Sequence, residues 1–400
     1  MITRLFLLSL LSLTACNHES ITNIGSVEAT AAVEPASAPA QQQPRQGFLP
    51  VEGANLQARL EAAVRQGRAA SPAARFWTAY AFDVRPGISM DVDYKGSRGV
   101  TIRGGRADST GSPIETRNLA VFLLHEADGN SIPRFEIFNL DRQREYSGYR
   151  VFWLGRGGNE ESLPLLQSLV SSNSSSGIEK VAEQAVSAIA IHDDPRVGGL
   201  LKDFVRQSSI VKVRSSATFW LGQVGGETAF LSELIRNPNE NVEVRKQAAF
   251  AIGAGKDKDA LATLQSLYPN IENREVKKQI IFAISINENS DSAVDFLINT
   301  ARSDADREAR KQAIFWLGQR AGNRSLGALS ETVDSNDADT EVQKQAVFAI
   351  SQRPKDEAVP LLIKIARTHQ KPTVRKEAIF WLGQTGDERA VDFFKEVLSK

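Results

Sequence analysis

Apolar positions along this chain follow a helical period, and the periodic blocks themselves recur. In 374–384 (VRKEAIFWLGQ), Val374, Ala378, Trp381 and Leu382 fall at i, i+4, i+7 and i+8, one stripe of an α-helix. Clear copies start at Ala309 (ARKQAIFWLGQ), Val342 (VQKQAVFAISQ), Val276 (VKKQIIFAISI) and Val244 (VRKQAAFAIGA). Fainter ones start at Val213 (VRSSATFWLGQ), Val181 (VAEQAVSAIAI) and Tyr146 (YSGYRVFWLGR). The spacings from Tyr146 onward are 35, 32, 31, 32, 33, 33 and 32 residues. A fixed period of this size predicts a stack of small helical units, none of which can bury its apolar face alone.

Each block is followed by a second apolar run, for example Ala390, Val391, Phe393, Phe394, Val397 and Leu398, with Asp387 at the N-cap position before it. The pattern therefore predicts two antiparallel helices per repeat and about eight repeats over 146–400. Gly155, Gly222, Gly253, Gly318 and Gly383 share one position and are expected to end the first helix in a left-handed conformation. The eighth position reads Trp153, Ala188, Trp220, Ala251, Ala283, Trp316, Ala349, Trp381. This near-alternation of large and small side chains suits interdigitating layers, so these tryptophans are expected in the core.

With its V-R-x-x-A-x-x-x-L-G core, the 146–400 stretch resembles the HEAT-repeat superfamily, in the short form first noted in phycobilisome bilin lyases. The period is shorter than that of ordinary HEAT repeats. Tetratricopeptide repeats would need W-x-x-L-G, and here Trp, Leu and Gly are contiguous. The resemblance implies an α-solenoid and the binding of other macromolecules. A bilin-lyase-like enzyme is the alternative it suggests.

The front of the chain has a different character. Residues 1–16 (MITRLFLLSLLSLTAC) place Arg4 before an apolar run too short to span a bilayer, the pattern of an export signal. Leu13-Thr14-Ala15-Cys16 resembles the bacterial lipobox. By that resemblance 1–15 is a signal peptide, Cys16 is acylated, and the chain is a membrane-anchored envelope lipoprotein facing the periplasm. Asn17 in place of Asp points to the outer rather than the inner membrane. Residues 16–50, rich in Ala, Pro, Gln and Ser, read as a flexible tether, and 51–75 as a short helical segment.

Over 76–145 the period drops to two. Ile88, Met90, Val92 and Tyr94 alternate, as do Val100 and Ile102, and 117–124 pairs with 133–140 around Asp128-Gly129-Asn130. A small antiparallel β domain of four or five strands is predicted ahead of the solenoid, capping its first layer.

Charge adds one feature. Lys+Arg and Asp+Glu both number 48, so no global basic field favours nucleic acid as a partner. Lys246, Lys278, Lys311, Lys344 and Lys376 nevertheless occupy the third position of five consecutive blocks, with Arg245, Lys277, Arg310 and Arg375 beside them. Glu243, Glu275, Glu308 and Glu341 precede the first four, so inter-repeat charge pairing is the expectation and an anionic-ligand surface the alternative. Gln184, Gln247, Gln279, Gln312 and Gln345, with Glu377, are expected to form a side-chain ladder between layers.

Catalytic and metal motifs are absent from the sequence. The four histidines have no metal-ligand spacing, and Cys16 is the only cysteine, leaving no second thiol for zinc. His192-Asp193-Asp194 reads as a capping or solvated turn. The resulting expectation is a lipid-anchored scaffold, without catalysis or cofactor, that binds an unidentified protein along its curved face. The lysine column makes a non-catalytic binder of an anionic envelope polymer a further alternative.

Overall fold

The computed structural model describes residues 47–70, 73–88, 118–141, 145–171, 176–255, 257–286, 290–320, 322–335 and 339–399. The signal sequence, Cys16, the tether up to residue 46 and the alternating stretches at Met90–Tyr94 and Val100–Ile102 lie outside them. Packing divides the chain into 1–217 and 218–400.

The first unit opens with a sheet and helix: β1 Phe48–Pro50, α1 Leu56–Ala70, β2 Phe76–Ala81, β3 Leu119–His125, β4 Arg134–Asn139 and β5 Val151–Arg156. Four helices follow, α2 Asn159–Ser171, α3 Ser176–Ala190, α4 Val197–Gln207 and α5 Val211–Val224, the last running across the division. The sheet order is β1-β5-β2-β3-β4. Over its described residues the hairpin expected around Asp128-Gly129-Asn130 forms, with β3 antiparallel to β4 from Leu119↔Asn139 to Leu124↔Arg134. The sheet as a whole is mixed, however, because β5 runs parallel to both β1 and β2.

That parallel strand corrects the reading of the Tyr146 block. YSGYRVFWLGR matches the repeat letter for letter at VFWLG, yet 151–156 is extended. A short run of apolar and aromatic residues suits either period, and here two neighbouring strands supply the hydrogen bonds that decide it. Trp153 accordingly belongs to the sheet, packed with Phe48, Trp77 and Phe122 on one face. The repeat helices begin later, and the blocks from Val181 to Val374 supply seven first helices among the described residues.

The opposite sheet face carries Phe76, Tyr80 and Phe152 and meets helices. The Tyr80 hydroxyl lies 3.0 Å from Ser162 Oγ of α2, and Gly67 of α1 sits directly against the Phe76 ring. Backbone bonds from Arg85 N to Ile191 O (3.0 Å) and from Asp193 N to Asp83 O (2.9 Å) fasten the segment after β2 to the end of α3. Within this unit the sheet therefore lies on the first helical layer.

The second unit is helical throughout its described elements: α6 Thr228–Arg236, α7 Val242–Gly253, α8 Ala260–Leu267, α9 Arg274–Ser285, α10 Asp291–Ser303, α11 Arg307–Gln319, α12 Asn323–Asp334, α13 Thr340–Ser351, α14 Lys355–Thr368, α15 Pro372–Thr385 and α16 Glu388–Leu398. The first helices α7, α9, α11, α13 and α15 pack on one another as an inner row, and the second helices touch their own kind less. Val244, Val276, Ala309, Val342 and Val374 are buried together with the residues four positions on, Ala248, Ile280, Ala313, Ala346 and Ala378, as the stripe requires.

The shared glycine has a different cause from the one expected. Gly222, Gly253, Gly318 and Gly383 all lie inside helices, and none has positive φ. A Cβ on Gly253 would stand 2.5 Å from Ala283 O, and one on Gly318 2.8 Å from Ala349 Cβ. The residue is small because the next layer's alanine presses on it. At Gly383, in the last repeat, nothing lies within 4 Å. The left-handed stop after α15 is Gly386, at φ 57°.

Candidate functional site

The Lys, Gln and Phe that recur at positions 3, 4 and 7 of the blocks form one half-exposed face of the inner row. Their placement starts at the helix ends. Asn241, Asn273, Asp306 and Asp339 cap α7, α9, α11 and α13, each accepting a hydrogen bond from the backbone N–H two residues on. The second position of each block then reaches back to the preceding second helix. Arg245 Nε donates to Ile235 O at 3.0 Å, Arg310 to Asp304 O at 2.9 Å and Arg375 to His369 O at 2.7 Å. Gln343 does the same to Val333 O and Ser335 O at 2.9 and 2.6 Å. These donors satisfy carbonyls that a helix C-terminus leaves unpaired, and the cations also oppose its dipole. Lys277 differs, lying 4.8 Å over the Tyr268 ring. The arginines expected beside the lysine ribbon are thus clamps between helices.

Four of the third-position lysines pair first within their own helices, and among these only Lys344 also reaches the next repeat. Lys246–Glu243, Lys278–Glu275 and Lys344–Glu341 are 3.1 Å apart, and Lys311–Glu308 3.6 Å, all at i,i+3. Lys344 also lies 4.0 Å from Glu377 of the next layer. Shorter inter-layer pairs along this edge come from other residues, Arg274 to Asp306 at 2.9 Å and Arg307 to Asp339 at 3.5 Å. Lys376, with Thr373 where the other copies carry an acid, is exposed.

The glutamine ladder does not form. Gln247, Gln279, Gln312 and Gln345 are half-buried, and among the described residues none of them makes a side-chain hydrogen bond. Beside them runs a column of rings. Phe219 stacks on Phe250 at 6.1 Å and Phe250 on Phe282 at 5.9 Å. Phe282 meets Trp316 at 4.9 Å, and Phe348 meets Trp381 at 5.0 Å. Trp220 is buried as expected, whereas Trp316 and Trp381 are partly exposed and belong to this column more than to the core. Trp381 Nε1 donates to Glu377 Oε1 at 2.8 Å, while the equivalent Trp316 Nε1 has no partner. Gln, Phe and Trp at positions 4, 7 and 8 of the block share one face because three or four residues make a helical turn.

One arrangement in the first unit looks catalytic and is not built for it. Ser162 Oγ lies 2.8 Å from His192 Nε2, and His192 Nδ1 donates to Ala188 O at 2.7 Å. That tautomer makes Nε2 an acceptor, so Ser162 donates to it and accepts from Tyr80. His192 is 1% exposed and Ser162 fully buried, so no substrate can reach the pair. Burial pulls the His192 pKa down to about 4 and pushes the Tyr80 hydroxyl up. The chain Tyr80–Ser162–His192 ties sheet, α2 and the end of α3 together. His192 is therefore a satisfied core residue, contrary to the capping or solvated turn its neighbours suggest. His125, paired with Thr78 at 2.9 Å, is likewise buried, with its pKa lowered by desolvation to about 4. Among the described residues no cluster of His, Cys, Asp or Glu could hold a metal ion, and no helix is long and apolar enough to cross a membrane.

Comparison with known families matches residues 227–318 and 326–400 to HEAT repeats. The second unit is a stack of HEAT-like repeats. Among solved structures, human deoxyhypusine hydroxylase in complex with glycerol aligns at 17% identity and a TM-score of 0.29, over 59% of this chain and 89% of that one. Escherichia coli YibA aligns at 17% identity and a TM-score of 0.32, over 57% of this chain and 83% of that one. The N-terminal domain of Mot1, solved in complex with TBP, aligns at 12% identity and a TM-score of 0.34, over 82% of this chain and 46% of that one. Curated protein sequences give no match.

Proposed function

We propose that this protein is a non-catalytic scaffold, held on the bacterial envelope by lipid on Cys16, that binds a protein partner through the inner row of its HEAT-like repeats. HEAT repeats commonly mediate protein–protein interaction. The observation that carries the choice of face is the column of half-exposed rings and unpaired glutamines repeated layer after layer. The lysine column adds little to this reading, because four of its five members are neutralised within their own helices. That pairing also weakens the anionic-polymer alternative, and the bilin-lyase alternative gains no residue set from the fold.

Two measurements test the proposal. Cys16→Ser should abolish acyl labelling and release the chain from the membrane fraction; undiminished palmitate incorporation would remove the anchor. A photo-crosslinker at Gln279, on the inner row, should capture a partner, and one at exposed Lys364, on α14 of the outer row, should not. Equal capture from both positions would remove the face.

A further inference from the structure

We infer that the chain forms a two-fold dimer through the outer face of its last described repeat, α15 and α16, with a second copy of the chain as the occupant. This surface is distinct from the inner row, and the inference does not rest on the interaction reading above.

The face is a layer core without its cover. Position 6 of the block is fully buried in four successive layers, as Ala249, Ile281, Ile314 and Val347, whereas Ile379 of α15 is 39% exposed. The second helix shows the same step. Val359, Ile365 and Ala366 of α14 are buried, and their counterparts Val391, Val397 and Leu398 of α16 are exposed, Leu398 to 86%. Five of the six large apolar side chains exposed among the described residues lie on these two helices. The end repeat of a stack ordinarily carries a polar outer face, and a contiguous apolar patch marks a contact surface.

What fits it is another repeat face, since the same positions meet a repeat in each earlier layer. In the first unit the sheet already lies on the first helical layer, through Tyr80–Ser162 and the backbone bond from Asp193 N to Asp83 O. A head-to-tail array would therefore set the open face against a sheet. Tail to tail, two identical repeat faces meet about a two-fold axis, which closes the assembly at two chains.

Charge agrees with such an axis. Only Gly386 and Asp387 separate α15 from α16, so an axis that crosses α15 between 381 and 382 crosses α16 between 391 and 392. Lys376, Phe380 and Gly383 share an exposed face of α15 at i, i+4 and i+7, and Glu388, Val391 and Lys395 share one of α16 at i, i+3 and i+7. The axis brings Lys376 opposite Asp387 of the second copy, Phe380 opposite Gly383 and Glu388 opposite Lys395, while Val391 meets its own counterpart. Both charged pairs are of opposite sign, and each occurs twice. Among the described residues Lys376 has no ion-pair partner in its own chain, and Lys395 has only Asp392, at 3.3 Å. Nothing lies within 4 Å of a Cβ placed on Gly383, which leaves room for the Phe380 ring.

The test uses the full chain carrying Cys16→Ser, which has neither a thiol nor an acylation site to join two chains by other means. Light scattering should give the mass of two chains, falling to one on dilution. Phe380→Asp with Val391→Asp, both at exposed positions, should raise the dimer Kd at least about a hundredfold with unchanged helix content by circular dichroism. Glu388→Lys and Lys395→Glu should each weaken the dimer roughly tenfold by setting like charges opposite one another. An equimolar mixture of those two variants should recover the parent affinity, because the signs match again across the axis. A photo-crosslinker at Leu398 should join the chain to itself. A one-chain mass at all concentrations, a mass that keeps growing with concentration, or a dimer untouched by the Phe380→Asp and Val391→Asp pair would overturn the inference. So would a mixture no tighter than its components, or crosslinking from Leu398 to a different protein and not to a second copy.

Discussion

Replacing the shared glycine should have opposite effects in different layers. On Gly253 an added methyl would sit 2.5 Å from Ala283 O, 2.8 Å from Ala283 Cβ and 3.0 Å from the Ala283 carbonyl carbon. Ordinary contact begins near 3.4 Å, so α7 and α9 would have to separate locally by about 1 Å. The obstructing atoms are mainly backbone and cannot rotate aside. Overpacking of this kind costs about 1–3 kcal/mol. Alanine recovers only about 0.5 kcal/mol of helix propensity at a helix end, leaving a net loss of about 1–2 kcal/mol for Gly253→Ala. Gly383 occupies the same motif position with nothing within 4 Å, so Gly383→Ala should stabilise by up to about 1 kcal/mol. Urea unfolding gives the sign of each change. Hydrogen exchange locates it, since in a stack of nearest-neighbour contacts the loss from Gly253→Ala should centre on α7 and α9. Were the glycine a left-handed helix stop, both substitutions would destabilise to a similar extent. That result would refute the packing argument.

Other perturbations follow from the same geometry. Arg245→Ala should cost about 1.5–3 kcal/mol, because Ile235 O loses a charged donor in a buried place, and amides at the end of α6 should exchange faster; unchanged exchange there would remove the clamp. Acid should destabilise the first unit. His192 and His125 have folded pKa values near 4, below the unfolded 6.5, so the unfolded chain binds protons first and stability falls as pH drops from about 6.5 to 4. Each histidine contributes up to about 3 kcal/mol to that fall, and His192→Asn should flatten the pH profile of urea unfolding; an identical slope in the variant would contradict it. Changing Lys246, Lys278, Lys311 and Lys344 together to Gln should cost about 0–1 kcal/mol per pair and leave partner crosslinking from Gln279 unchanged. A lost crosslink in that folded variant would restore the basic ribbon as the binding surface.

What the sequence determined by itself was everything set by local periodicity. The 3.6-residue stripe, the roughly 32-residue spacing of the blocks and the Asn or Asp before each first helix specify helices and their order without reference to distant residues. The 117–140 hairpin was legible for the same reason, its partners being joined by a short turn. Tertiary structure decided what depends on a partner far along the chain. VFWLGR at 151–156 becomes a strand because β1 and β2 complete its hydrogen bonds, although VFWLG fits the repeat. Gly253 is small because Ala283, thirty residues on, occupies the space beside it. Arg245 is a clamp and not a ribbon cation because a carbonyl of the preceding helix lies within its reach. The candidate surface emerged the same way. Its lysines, glutamines and rings could be aligned from sequence, but only the packed layers show which are paired and which are not. The unpaired glutamines carry the signal that sequence lacks, since a hydrogen bond that does not form leaves no mark on a periodic pattern.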